Sequence, residues 1–238
     1  MPALTVTAPE AVDFSRRATQ PELMDGDDLD PAIYARVIAD LARVNSVILG
    51  RRPTLWWLDR ATQGLDSFRL LDVGFAQGDM LRAIAKWAQR RGKTVELVGI
   101  DLNPGSAPVA EAATDPALGI RYLTGDAFQL RSRFDFIISS LTTHHMDDAE
   151  LVRFLGWMER SADRGWLTSD LHRHPIAWAG FIALAALMRW HPIVRHDGAL
   201  SVRRSFTRAD WERLLAKAGV AADIHWHLPF RWTVGRIR

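Results

Sequence analysis

Residues 70–79 have the sequence Leu-Leu-Asp-Val-Gly-Phe-Ala-Gln-Gly-Asp. An apolar run ends there in small residues at alternate positions, Gly74, Ala76 and Gly78, and Asp79 follows as a residue that can cap a helix. Small residues let a backbone turn sharply and approach a ligand closely. The stretch therefore predicts a strand, a tight loop and a helix, with a ligand at the loop. A tight turn with a purely structural role is the alternative.

Apolar strands and helices alternate from residue 68 onward. Strand-like runs cover 69–74, 96–102, 120–124, 134–140 and 165–169, with helical segments at 79–91 and 147–162. Continuously apolar strands separated by helices indicate a parallel sheet covered on both faces. After a last helix at 207–219, two strands joined through Leu228 and Pro229 predict a hairpin. The predicted fold class is α/β, with a Rossmann-like doubly wound seven-stranded mostly parallel sheet, a C-terminal antiparallel β-hairpin and an N-terminal helical cap.

Residues 1–64 precede the alternating pattern. They comprise a loose arm over 1–20, a helix that Asp30 can cap and Gly50 can end, and a second short helix. A single apolar stripe cannot form an independent core, so we expect 1–64 to cap the domain formed by 65–238. The apolar run 175–188 lies within 172–205, which we predict to be a substrate-lid insertion; core packing is the alternative reason for its apolar character.

The composition is that of a globular protein and excludes several classes of function. The 238 residues carry a formal net charge of only +2, which argues against a dedicated nucleic-acid binder. The N-terminal acidic residues, Glu22 among them, and the C-terminal arginines fit solvated surfaces better than binding patches. The absence of cysteine excludes disulfides, thiolate metal sites and a cysteine nucleophile. Without a secretion signal or a spanning apolar run, a cytoplasmic protein without a transmembrane segment is expected.

Acidic residues at the predicted strand ends favour a particular nucleoside ligand. Asp101 ends the second strand, where an acid binds the two hydroxyls of a ribose, and Asp126 could bind an adenine amino group. Asp72 and Asp79 flank the glycine loop, and their charge repels phosphate but suits an ammonium or sulfonium group. The loop also lacks the G-x-G-x-x-G spacing of dinucleotide sites. This pattern favours S-adenosylmethionine (SAM) over NAD.

The motifs LLDVGFAQGD, LVGIDLNP, TGDAF and FDFIISS, in this order, resemble those of class I SAM-dependent methyltransferases over roughly residues 65–238. Ala76 departs from the family pattern, which most often has a glycine there. The resemblance implies SAM as cofactor and S-adenosylhomocysteine (SAH) as product. It implies cofactor contacts from Asp72, Gly74, Ala76, Gly78, Asp101, Leu102, Asp126, Ala127 and Ser139.

Further segments are similar to a bacterial branch of these enzymes. They are SSLTTHHMDD, SDLHRHP, VRHDGALSVRRSFTRADWERLLAKAG and the N-terminal ELMDGDDLDPAIYARVIADLARVN. Members of that branch accompany type III polyketide synthase, phenolic-lipid and quinone pathways and methylate phenolic hydroxyls. The resemblance thus implies an apolar aromatic small molecule as acceptor. A homodimer is compatible with it.

Two histidines follow the fourth strand, in the loop that lies beside the methyl group in this architecture. A phenol gains from a general base, and neutral histidine is the natural one near pH 7. We expect His144 or His145 to act as this base, with His145 preferred. The alternative is that one of them packs against the cofactor or caps the helix near Asp147.

The acceptor contacts are predicted from residues around the same edge of the sheet. Asp170 and His172 end the fifth strand, and Trp56 suggests an apolar acceptor cavity. Residues 196–198 predict a turn, after which Arg203 forms either a structural ion pair or a substrate contact. No metal is expected, because no compact carboxylate–histidine spacing repeats.

Other functions remain as alternatives to phenol O-methylation. Within the same fold, the acceptor could be a quinone or amine that is methylated on carbon or nitrogen. From another class, the chain could be a non-catalytic SAM-binding protein or a nicotinamide-dependent reductase.

Overall fold

Seven strands form one sheet in the part of the chain that the structure, a computed structural model, describes: residues 12–25 and 30–238. The strands are β1 Ser67–Val73, β2 Thr94–Asp101, β3 Arg121–Thr124, β4 Phe134–Ser140, β5 Ala162–Leu171, β6 Asp223–His227 and β7 Arg231–Ile237. Their order is β3-β2-β1-β4-β5-β7-β6; β1 to β5 are parallel, and β7 is antiparallel to both neighbours. The predicted doubly wound sheet with a C-terminal hairpin is confirmed.

Eight α-helices accompany the sheet within the described residues. They are α1 Pro31–Val47, α2 Arg52–Ala61, α3 Asp79–Arg90, α4 Ser106–Ala112, α5 Asp148–Ser161, α6 Pro175–Leu187, α7 Pro192–Arg204 and α8 Arg208–Ala218. The Asp30 carboxylate accepts the amides of Ala32 and Ile33, and Asp147 and Thr207 begin α5 and α8 with capping boxes. These local signals explain why the helix starts could be predicted.

Both faces of the sheet are covered by helices. Leu70 and Leu71 are adjacent on β1, point to opposite faces and are both fully buried. Leu71 belongs to a core cluster with Trp211 of α8, and Leu70 to a second cluster with Trp57 of α2. The ring of Trp57 lies 5.7 Å from that of Phe136 on β4. Helix α2 therefore packs directly on the sheet, while the predicted domain boundary at residue 64 stays a prediction.

Helix α1 connects two elements that follow strand ends. The Tyr34 hydroxyl lies 2.9 Å from Ser106 Oγ at the start of α4, which follows β2. On the side towards α7, Val37 and Val44 are buried in one cluster with Val194. In doubly wound sheets, ligands bind at the carboxyl ends of the strands, where the strand order reverses. Here the reversal lies between β1 and β4, and α1 contacts helices on both sides of it.

The segment 172–205 contains α6 and α7, and one prediction within it is wrong. Residues 196–198, expected to form a turn, lie inside α7. A Cβ at Gly198 would overlap the ring of Phe181 on α6, so the glycine allows the two helices to approach closely. In the described part of the chain, no helix has the length and apolar character needed to cross a membrane.

Candidate active site

The loop after β1 has backbone angles that most side chains disfavour. The φ angles of Gly74, Ala76 and Gly78 are 76°, 48° and 74°. A Cβ at Gly74 would overlap the side chain of Thr142, and one at Gly78 would overlap the ring of Tyr122. The two glycines are therefore required by the packing of the protein itself, in addition to any ligand.

Three carboxyl groups surround this loop: Asp72 at the end of β1, Asp79 at the start of α3 and Asp101 at the end of β2. Burial raises the pKa of all three, and the charges of Asp79 and Asp101 raise the pKa of Asp72 further. Among the described residues, Asp72 Oδ1 and Asp79 Oδ2 are buried without a hydrogen-bond partner, although Asp79 Oδ2 lies 3.9 Å from Arg51 in an ion pair. Such a crowded group of acids suits a positively charged ligand.

Asp101 also joins the loops after β1 and β2. Its Oδ2 accepts the amide of Ala76 and its Oδ1 the amide of Asn103, both at 2.9 Å. Leu102 beside it is 76% exposed, which leaves an apolar side chain free at the strand end. At the end of neighbouring β3, Asp126 accepts the amide of Phe128 at 2.9 Å.

The structure thus brings most of the predicted cofactor residues to one edge of the sheet. Two of them also have internal contacts. Ser139 is buried and donates to the carbonyl of Val73 at 2.9 Å, so its hydroxyl joins β4 to β1. Ala127 is also buried, in the core cluster on one face of the sheet. All of the cofactor assignments remain predictions.

His144 is held in a buried pair with Asp170. Its Nδ1 lies 2.7 Å from Asp170 Oδ1, while Asp170 Oδ2 accepts the His144 amide and the Thr143 hydroxyl. Burial opposes ionisation of Asp170, but the charge and hydrogen bond of His144, with the bonds from Thr143 and the Leu171 amide, outweigh it and lower its pKa to about 2. Because the ionised carboxylate only accepts, Nδ1 of His144 is the donor in this pair, and Nε2 is the ring nitrogen on the side of Glu22.

This geometry gives Asp170 a role in positioning His144. The residue is 0% exposed and lies behind the imidazole, whose Nδ1 it contacts. Its predicted acceptor contact, and the preference for His145 as the base, remain predictions.

Glu22, from the segment before α1, completes this corner. Its Oε1 lies 3.6 Å from His144 Nε2 and its Oε2 lies 3.8 Å from His145 Nε2. Glu22 is only 4% exposed, and Ser201 of α7 donates to its Oε1 at 2.8 Å. The corner therefore contains two imidazoles and a buried carboxylate.

Two arginines hold the loop that carries the histidines. Arg17 donates to the carbonyls of His144 and Met146 at 3.2 and 2.8 Å. Arg204 donates to the carbonyls of His144 and His145 at 3.1 and 3.0 Å. The loop position is thus fixed from both the N-terminal segment and α7.

The remaining predicted acceptor residues lie elsewhere or keep their role as a prediction. His172 accepts from the Trp226 indole at 3.3 Å, and Trp56 packs on the ring of His227 of edge strand β6. Both therefore belong to the hairpin side of the sheet. Arg203 is half-buried, and its Nε has no hydrogen-bond partner among the described residues. Its predicted substrate contact remains a prediction.

Several site residues escape a sequence-based search. Glu22 belongs to an acidic stretch whose composition favours a solvated surface, yet it is buried. Arg17 and Arg204 act through carbonyl groups, for which residue patterns carry no signal. Thr143 is the exception, because it directly precedes the histidine pair in the sequence.

Comparison with known protein families agrees with this geometry. Residues 70–165, from β1 into β5, match a family model described as "Methyltransferase domain". The matched segment contains the glycine loop, Asp101 and both histidines of the corner. No curated protein sequence matches the chain significantly.

Solved methyltransferases share the fold at low sequence identity. Human N-acetylserotonin methyltransferase in complex with SAM has a TM-score of 0.62 at 15% sequence identity. The alignment covers 88% of this chain and 56% of the human chain. A SAM-dependent methyltransferase from Aquifex aeolicus has 0.60 at 17%, covering 87% and 98%. Magnesium protoporphyrin IX methyltransferase from Synechocystis PCC 6803 with bound SAH has 0.54 at 15%, covering 90% and 91%. Residues 67–237 thus have the Rossmann-like methyltransferase fold, and the chain spans about half the length of the human enzyme.

Proposed function

We propose that this chain is a SAM-dependent methyltransferase that methylates the phenolic hydroxyl of an apolar small molecule, such as a polyketide, a phenolic lipid or a hydroxyquinone. The acidic loop is the observation that supports SAM as the cofactor. Asp72, Asp79 and Asp101 crowd around it with raised pKa values, and two of them keep a buried oxygen without a hydrogen bond. A ligand with an ammonium and a sulfonium group supplies the positive charge that this loop favours, whereas a pyrophosphate would be repelled.

The neighbouring strand ends suit the nucleoside part of the same ligand. Asp101 is held by two loop amides and retains lone pairs that can accept ribose hydroxyls. The exposed Leu102 offers an apolar surface to an adenine ring, and Asp126 can accept from its amino group.

The reaction then needs little chemistry from the protein. When bound, SAM supplies a methyl group that is already activated by the positive sulfur. The acceptor oxygen forms a bond to the methyl carbon while the carbon–sulfur bond breaks, sulfur keeps the electron pair in SAH, and the hydroxyl loses its proton. The protein has to align the reactants, exclude water and assist removal of that proton.

The proton is removed at the corner of His144 and His145. A phenol has a pKa of about 10 and gains from such help near neutral pH. A neutral amine attacks through a free electron pair and does not require it before transfer. The fixed Nε2 of His144, backed by buried Asp170, therefore supports oxygen over nitrogen as the acceptor atom.

Calorimetric titration of the full chain with SAM, SAH and NADH tests the cofactor. We expect binding of SAM and SAH and no binding of NADH. Asp101→Ala should weaken SAH binding by about 1.5–3 kcal/mol, the scale of hydrogen bonds to a charged group. The control is Asp66→Ala, an exposed aspartate before β1, which should bind SAH like the wild type.

A screen with methyl-labelled SAM against alkylresorcinols, hydroxyquinones and polyketide phenols tests the acceptor. Transfer of the label to a hydroxyl oxygen is the expected result. Label on carbon or nitrogen would replace O-methylation by the corresponding reaction. SAH binding without transfer to any acceptor class would indicate a non-catalytic SAM-binding protein, and NADH binding without SAH binding would indicate a reductase.

A further inference from the structure

Glu22, His144 and His145 present three metal-ligand atoms in one place. One atom from each residue can be chosen so that all three lie within 4.8 Å of one another. The carboxylate comes from the segment before α1 and the imidazoles from the loop after β4, so tertiary folding alone brings them together.

The separations fit a shared ion better than direct contacts. Glu22 Oε1 lies 3.6 Å from His144 Nε2, and the other carboxylate oxygen, Oε2, lies 3.8 Å from His145 Nε2. Hydrogen bonds between such groups are about 2.7–3.2 Å long, so both distances are too long. Two ligand atoms bound tetrahedrally to one zinc ion at about 2.1 Å each lie roughly 3.4 Å apart. One ion between the three side chains therefore needs either both Glu22 oxygens as ligands or a shift that shortens separations of up to 4.8 Å.

The groups behind the ligands are those that metal sites use. Asp170 lies 2.7 Å from His144 Nδ1, which leaves Nε2 as the ring nitrogen on the Glu22 side. Ser201 donates to the Glu22 carboxylate at 2.8 Å. A carboxylate behind a ligating histidine fixes the ring and its tautomer, and a hydrogen bond fixes a ligating carboxylate.

The charge of Glu22 points in the same direction. The residue is 4% exposed, and within the described part of the chain no lysine or arginine forms an ion pair with it. A buried carboxylate is unfavourable unless a cation compensates it. Two imidazoles and one carboxylate suit first-row transition ions such as Zn²⁺ rather than Mg²⁺ or Ca²⁺.

We propose that Glu22, His144 and His145 bind one divalent transition-metal ion, Zn²⁺ or an ion of similar preference, with a coordination position left for the acceptor oxygen. This second part rests on the proposed function. A bound ion lowers the pKa of an oxygen ligand, so the phenol would release its proton to water and attack as phenolate. The imidazoles then hold the ion, and this replaces the base role that both the sequence and the proposed function above give to them.

The test uses the full chain, stripped with a chelator and dialysed, and then titrated with Zn²⁺ and separately with Co²⁺. We expect one ion per chain, a rise in melting temperature with Zn²⁺ and visible Co²⁺ absorption bands from nitrogen and oxygen ligands. Glu22→Gln and His145→Gln should each weaken Zn²⁺ binding at least tenfold. Asp170→Asn should weaken it by about 10–100-fold, as expected for a residue behind a ligand. The control is Glu111→Gln, an exposed glutamate on α4, which should bind like the wild type.

SAH titration of the same samples separates the two proposals. The metal-free protein should still bind SAH, because the acidic loop does not belong to the corner. Failure to bind SAH with intact Zn²⁺ binding would overturn the proposed function and leave the metal site. Absence of stoichiometric Zn²⁺ and Co²⁺ binding, or unchanged affinity in the folded His145→Gln and Glu22→Gln variants, would overturn the metal site. Methyl transfer by such a metal-free protein would return the base role to His144.

Discussion

Ala76 has a strained backbone angle and lies in the proposed cofactor loop after β1. Its φ of 48° lies in the left-handed region, where a Cβ costs about 1–2 kcal/mol. Its amide nonetheless donates to Asp101 Oδ2, which holds the loop in the shape that the ligand site requires. Strained residues of this kind concentrate at functional sites.

Ala76→Gly should therefore be neutral or stabilising. Relief of the strained φ is offset by about 0.4–1 kcal/mol of added unfolded-state entropy, so we expect a gain of zero to about 1 kcal/mol. Denaturant unfolding measures the difference, and SAH affinity should not change. Ala216→Gly, at an exposed position inside α8, is the control and should lose about 0.5–1 kcal/mol. A similar loss at residue 76 would contradict the strain.

Asp72 should make the ligand-free protein less stable as the pH rises. Burial, together with the charges of Asp79 and Asp101, raises its pKa well above the usual 3.8. At pH values between the pKa of the unfolded chain and the higher pKa of the folded chain, the unfolded chain has released a proton that the folded chain retains. The free energy of unfolding therefore falls with increasing pH in this range.

Asp72→Asn should remove this dependence. We expect the free energy of unfolding near pH 7 to rise by about 1 kcal/mol or more, with a flatter pH profile from pH 4 upward and weaker SAM binding. Urea unfolding across pH, with Asp66→Asn as the exposed control, measures the effect. An unchanged profile would mean that Asp72 ionises normally.

At the level of elements, two adjacent tryptophans of α2 report how this helix packs. Trp57 is 6% exposed and packs on the sheet, whereas Trp56 is 44% exposed. Trp57→Ala should destabilise the protein by about 3–5 kcal/mol, because it leaves a cavity in the core. Trp56→Ala should cost about 1 kcal/mol or less, because it loses only surface ring contacts. Equal losses in thermal or denaturant unfolding would contradict the packing of α2 on the sheet.

Much of the element structure could be predicted because its signals are local. Asp30, Asp147 and Thr207 sit next to the helices that they cap, and buried parallel strands appear as continuous apolar runs. The position of Gly198 inside a helix could not be predicted from local signals, because the residue that requires a glycine there, Phe181, lies on another helix. The hydrogen bond of Ser139 could not be predicted for the same reason, since its partner carbonyl lies on β1.

Across the whole molecule, the N-terminal segment is joined to the rest of the fold through Arg17. Besides two loop carbonyls, this side chain binds the Arg204 carbonyl at 2.7 Å and Asp148 at 3.2 Å. Arg17→Ala should lower the free energy of unfolding by about 2–3 kcal/mol, because carbonyl groups lose a charged donor. It should also slow methyl transfer by loosening the histidine loop.

Arg16→Ala is the matched control for this prediction. The Arg16 side chain is 86% exposed, and its ion pair with Asp13 lies at the surface. Its loss should change stability by no more than about 0.5 kcal/mol. If both variants unfold at the same denaturant concentration, the N-terminal segment does not contribute to the stability of the domain.

The site was predictable where it follows strand ends and not where distant segments meet. The glycine loop, Asp101 and the histidine pair each follow a strand that the sequence reveals. The pairing of His144 with Asp170 could not be predicted from the sequence, because its partner is on β5 and distant in the chain, and the preference for His145 as the base stays a prediction. Glu22 had no signal at all, since burial of an acidic residue depends on what folds over it.

The position of β7 between β5 and β6 has a consequence for synthesis of the chain on the ribosome. Until residues 231–237 have left the exit tunnel, β5 presents an open edge and β6 has no partner in the sheet. An exposed edge of a buried parallel strand readily pairs with another chain. Nascent chains that stall before residue 231 should therefore depend on chaperones, although all the proposed ligand-binding residues have by then been made.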